Sequence, residues 1–105
     1  MQPLLVLTNC PDRETAENLA TRLVDAGLAA CVNILAPCTS VYRWQGQVET
    51  ASEIPLLIKS TAGRYVALEQ LIRQHHPYEL PEIVALPIER GLPEYLAWVV
   101  DSVKQ

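Results

Sequence analysis

Two adjacent histidines, His75 and His76, stand directly before Pro77. Imidazole is a good ligand for copper, zinc or nickel. Neighbouring side chains diverge by about 100° along a helix and by nearly 180° along a strand, so the pair needs a third ligand from elsewhere to close on one ion. Cys10, Cys31 and Cys38 are the soft candidates. The competing reading is structural, with His75 packed on a helix face and His76 capping the turn before the proline. No two cysteines form a C-x-x-C pair, which argues against a thiolate zinc site.

A second group surrounds Pro77-Tyr78-Glu79-Leu80-Pro81-Glu82. Two prolines stiffen this segment, which then presents Tyr78 and Glu82 to a ligand or serves as a rigid connector. Glu53 and Lys59 lie six residues apart in a stretch of strand character, and a period of two puts them on one face. With Tyr42 they could form a polar cluster between subunits or a pocket for a small anion. As a solvated pair they would contribute little. Trp44 and Trp98 read as core or interface anchors. Nothing local ties a cysteine to a histidine as nucleophile and base. The four glycines are isolated, so there is no phosphate-cradling loop. No catalytic residue is expected, and the chain is not read as an enzyme.

These groups must be positioned by a short run of elements. Gln2 to Thr8 is apolar and reads as a buried strand. Asp12 suits the N-cap of a helix to about Ala26, with Ala16, Leu19, Ala20, Leu23 and Val24 on one face and Gly27 as its stop. Leu28 to Ile34 and Val41 to Trp44 read as strand, joined through a bend or bulge at Ala36-Pro37. Gln45-Gly46 is a two-residue hairpin turn, and the return arm runs from Gln47 to about Lys59. A second helix is expected from a cap near Ser60 or Thr61 to His75, with Tyr65, Leu68, Leu71, Ile72 and His75 on one face. Pro77 holds His76 out of the helical region. Glu82 to Ile88 is a fourth strand, and Pro93 opens a third helix with Leu92, Leu96, Val99 and Val103 as its stripe. The order β-α-β-β-α-β plus a C-terminal helix is the ferredoxin-like order of an α+β fold with an antiparallel sheet.

The hairpin arms, at 12 to 14 residues, would span about 40 to 45 Å, against about 22 Å for the covering helices. Half of the hairpin should therefore project. Val41, Tyr42, Trp44 and Val48 are too apolar for a free ribbon, so another copy should cover them, most simply in a closed ring.

The totals fit this picture. A chain of 105 residues, half of them hydrophobic, forms a single domain over residues 1–105. A net charge of -4 with eight scattered basic residues argues against nucleic acid. No apolar stretch reaches a membrane span and no signal peptide is evident. An odd number of cysteines fits reduced thiols.

The segments Leu28-Ala29-Ala30-Cys31-Val32-Asn33-Ile34, Ser40-Val41-Tyr42-Arg43-Trp44-Gln45-Gly46, Ile58-Lys59-Ser60-Thr61, His76-Pro77-Tyr78-Glu79-Leu80-Pro81-Glu82-Ile83 and Tyr95-Leu96-Ala97-Trp98 resemble, in order and spacing, the motifs of the CutA family of divalent-cation-tolerance proteins. The resemblance implies a ferredoxin-like fold, a tight homotrimer built through long hairpins, a cytoplasmic setting and a link to metal tolerance, with copper binding in some members. In that family copper is associated with the histidines before Pro-Tyr, here His75 and His76, and with a cysteine at the end of the first strand. By the strand limits above Thr8 takes that place, with Cys10 two residues on. Similarity to the nitrogen-regulatory signalling trimers adds an expectation of effector binding between subunits, near Tyr42, Glu53, Lys59, Tyr78 and Glu82.

Overall fold

The computed structural model describes residues 1–103. Strand β1, Pro3–Cys10, alternates strictly, with Leu4, Val6, Thr8 and Cys10 buried and the residues between them half-buried. It ends at Cys10, not Thr8. Polar Asn9 breaks the apolar run, but both Asn9 and Cys10 stay paired to the neighbouring strand. Helix α1, Arg13–Asp25, starts where the Asp12 carboxylate accepts the Thr15 N–H at 2.8 Å. Gly27, at φ 71°, stops it. Val24 is exposed, so the buried stripe is Ala16, Leu19, Ala20 and Leu23.

The apolar run at Leu28 enters the sheet late. The Leu28 and Ala29 N–H groups turn back onto the Leu23 carbonyl, and β2 is only Cys31–Ile34. Strands β3, Cys38–Trp44, and β2 both pair with β4, Gln47–Thr61. Between Ile34↔Leu56 and Cys38↔Glu53, three residues of one arm face two of the other, which is a bulge. Pro55 sits there. It lacks an N–H, and its carbonyl accepts the Leu35 N–H at 3.0 Å. Gln45 and Gly46, at φ 50° and 82°, close the hairpin in the left-handed region that matches the strand twist.

Of the two cap positions expected, Thr61 is the one that precedes the helical segment; it is at the same time the last residue of β4, and its side chain makes no capping hydrogen bond. Pairing with β1 continues to Thr61↔Pro3, and the Ser60 hydroxyl donates to the Leu28 carbonyl at 2.6 Å. A 3-10 turn over Ala62–Arg64 then leads into α2, Tyr65–His75. Strand β5, Ile83–Pro87, and α3, Pro93–Ser102, complete the chain.

The sheet order is β2-β4-β1-β5, all antiparallel, with β3 continuing alongside β4. This is the ferredoxin-like arrangement. Helices α1 and α2 cover one face, over a core that includes Val6, Leu56, Ile58, Leu19, Leu23, Leu68 and Ile72. Paired residues share a face, so Leu5, Leu7, Leu57, Val84 and Leu86 line the opposite one. None of these is fully buried. Helix α3 packs against β4 and β1 near the start of β2, where Val99 and Val103 pack on Ala30 and the Tyr95 hydroxyl meets the Cys31 sulfur at 3.6 Å.

Candidate functional site

The segment after α2 is tied down at several points. His76 is the extended residue before Pro77, at φ -90° and ψ 132°. The Tyr78 N–H donates to its Nδ1 at 3.1 Å, which puts the ring proton on Nε2. That Nε2–H donates to the Asn9 carbonyl at 2.6 Å. The Asn9 amide in turn donates to a Glu82 carboxylate oxygen at 3.1 Å. The His76 and Tyr78 rings lie 4.7 Å apart, and the Tyr78 hydroxyl donates to Glu53 at 2.9 Å. The loop is thus anchored to the end of β1 and to the base of the hairpin.

Burial, then the hydrogen bond to the Glu53 carboxylate, pushes the Tyr78 phenol up to about 12. Burial also pushes the Cys10 thiol up to about 11, helped by the negative charges of Asp12 and Glu53. Cys10 is therefore a buried thiol at neutral pH, whereas metal binding needs the thiolate.

These positions bear directly on the metal candidates. His75, expected on the core face, is exposed at the last residue of α2. His76, expected as a metal ligand or as a cap of the turn, is buried with both ring nitrogens engaged. Among the described residues, no three His, Cys, Asp or Glu side chains are grouped to hold an ion. As folded, His75, His76 and Cys10 do not form one chelating set.

The ligand candidates behave differently. Tyr42, Glu53, Tyr78 and Glu82 line one open cleft of about 840 Å³ between the hairpin base and the anchored loop, with Trp44 on its wall. Lys59 is not part of it. It shares a face with Glu53, but six residues along a strand is about 20 Å, and its ammonium donates to the Asn33 side chain. Asn9, which sequence reasoning missed, holds the loop through both its carbonyl and its amide. The one signal for it was an amide side chain inside an apolar strand. Trp44 and Trp98, at 38% and 48% exposed, are surface residues and not core. Trp98 stacks obliquely on Tyr95, with centroids 5.6 Å apart.

The family profile described as CutA1 divalent ion tolerance protein matches residues 4–102. A Thermus thermophilus divalent-cation tolerance protein, CutA, is 47% identical over 98 residues, which are 93% of this chain and 95% of that one. A solved structure of the divalent cation tolerance protein (Cut A1) from the same organism superposes with a TM-score of 0.94 at 45% identity, covering 95% of this chain and 97% of that one. A CutA homolog of Xenopus laevis is 44% identical over 91% of this chain, and CutA of Mus musculus 43% over 86%. This chain spans only 64% and 51% of the length of those two relatives. With the fold, the hairpin and the His-Pro-Tyr loop in place, the chain belongs to the CutA1 divalent ion tolerance protein family.

Proposed function

We propose that this protein serves divalent-cation tolerance as a cytoplasmic homotrimer that takes up copper or a similar ion as cargo and performs no catalysis. The observation that carries the assembly is uncovered apolar surface. Leu5, Leu7, Leu57, Val84 and Leu86 form a sheet face without a full helical layer, and Val41, Tyr42, Trp44 and Val48 stand on an exposed ribbon. A two-stranded ribbon alone in water is marginal, and an open apolar face marks an interaction surface. Ring closure through hairpins covers both on every copy at once. Three free cysteines favour a reducing compartment. No helix among the described residues is long and apolar enough to cross a membrane. The acidic balance and the scattered basic residues disfavour nucleic acid.

For the ion, exposed His75 is the ligand assigned first. His76 acts by holding the loop, and Cys10 is closed off in the core. Weak, reversible binding at an exposed imidazole fits cargo better than a resident cofactor. Native mass spectrometry before and after adding copper(II) tests both parts. The expected result is a trimer that gains copper in a fixed ratio, with affinity reduced in His75→Ala and assembly retained. A monomer would refute the assembly, and unchanged copper uptake in His75→Ala would refute the ligand.

A second reading, effector binding at the subunit boundary, is favoured by one observation. Four of the five ligand candidates line the same cleft.

A further inference from the structure

We infer that the cleft between the hairpin base and the 77–82 loop binds a small organic ammonium cation, held by Glu53 and Glu82 and walled by the rings of Tyr42, Trp44 and Tyr78. The inference reverses the sign of ligand expected when Lys59 was grouped with these residues, and it goes beyond the metal reading. An ion at exposed His75 neither needs nor blocks the cleft.

The charge balance of the walls is the first ground. Glu53, Glu79 and Glu82 line the cleft, and among the described residues Arg43 is the one basic residue along it. Arg43 pairs across the hairpin with Val48, whereas Tyr42 and Trp44 pair with Glu49 and Gln47. Alternation puts Arg43 on the other face of the ribbon from the two rings. Its guanidinium donates to the Gly46 carbonyl at the hairpin tip. It is therefore turned away from the carboxylates.

Glu53 supplies an independent ground. It is 8% exposed, its Oε2 accepts the Tyr78 hydroxyl, and it lines the cleft. A bound ammonium group would add a charge-assisted hydrogen bond to a carboxylate largely screened from water. Pre-organisation points the same way. The Asn9–Glu82, His76–Asn9 and Tyr78–Glu53 bonds fix the loop before any ligand arrives. Aromatic faces flanking carboxylates suit alkylammonium groups, which gain from both cation–π attraction and charge-assisted hydrogen bonds. The apolar stretch of Leu80, Pro81 and Ile83 leaves room for a hydrocarbon chain between charged ends.

The test uses three four-carbon probes of one length and different charge: 1,4-diaminobutane, butane-1,4-diol and succinate. Each is titrated into the intact, isotope-labelled protein at fixed ionic strength while backbone amide resonances are followed. Native mass spectrometry reports assembly separately, so loss of assembly and loss of binding read differently. The diammonium probe should shift the amides of Tyr42, Glu53 and Tyr78 to Glu82, and bind at least about tenfold more tightly than the diol, a factor worth about 1.4 kcal/mol. Succinate should not bind. Glu53→Gln, which keeps an acceptor for Tyr78, and Glu82→Gln should each weaken the diammonium probe about tenfold, while Glu89→Gln, outside the cleft, leaves it unchanged. Three outcomes would overturn the proposal. The diol could match the diammonium probe. The shifts could scatter over the surface and ignore Glu53→Gln, as for a general counterion. An assembled protein could show no shifts at all, meaning that a side chain of another copy fills the cleft.

Discussion

The two halves of β4 are one strand in two environments. From Ile54 to Thr61 it is paired to β1, and from Leu56 to Lys59 to β2 on its other side as well, and Ile54, Leu56, Ile58 and Ser60 are buried. From Gln47 to Thr50 its one partner is β3, and every residue is exposed. Yet Val48, 65% exposed, belongs to the same kind of sequence as the buried half. Local pattern makes both halves strand. Burial differs because α1, at 13 residues, reaches only about 20 Å along a strand of about 50 Å. The inner half is stabilised by its own fold, and the outer half carries apolar surface that this fold leaves uncovered.

The largest expected effect sharpens that contrast. Ile58→Ala should cost about 2 to 5 kcal/mol in chemical denaturation, because it empties a fully buried site. Val48→Ala should barely change the stability of an isolated subunit and should act on assembly instead. Next comes Trp44→Ala, which should weaken assembly by about 2 kcal/mol or more, read from subunit dissociation on dilution. Full assembly in that variant would separate the hairpin from the interface. Smaller again is Gly46→Ala. A Cβ meets no neighbour there, but a left-handed φ of 82° should cost about 1 kcal/mol.

A further prediction concerns alkali. Tyr78 and Cys10 have folded values raised to about 12 and about 11 from 10.0 and 9.0. A raised value means that the folded state holds the proton more tightly, so the contribution is complete below the ordinary value and lost above it. Stability should decline from about pH 9 to 11 for Cys10 and from about pH 10 to 12 for Tyr78. Thermal melts across that range check this, and Tyr78→Phe should remove the upper part of the decline.

How far the chain could be read from its residues follows from how local each signal is. The Asp12 cap, the Gly27 stop, the Gln45-Gly46 turn and the break before Pro77 are decided within a few residues, and all stand where the pattern put them. The cap at Thr61 is legible too, but the pattern ends the return arm at about Lys59, whereas pairing with β1 carries it to the cap itself and a 3-10 turn precedes α2. The end of β1 was missed for a similar reason. Its last two residues are held by Pro55 and Ile54 of β4, far along the chain, and not by their own hydrophobicity. The site shows the same limit. Period two correctly placed Glu53 and Lys59 on one face but says nothing of the distance between them. Nor does an adjacent pair of histidines reveal which ring enters the core. That choice was made by the Asn9 carbonyl, which only the folded sheet brings to His76.

The central claim, that the outer hairpin lies against another copy, is tested most directly by amide hydrogen exchange over Val41 to Thr50 at high and low protein concentration. Strong protection is expected when the protein is concentrated, falling as dilution separates the subunits, while Val6 and Ile58 stay protected throughout. Rapid exchange of Val41 to Thr50 at every concentration would contradict it.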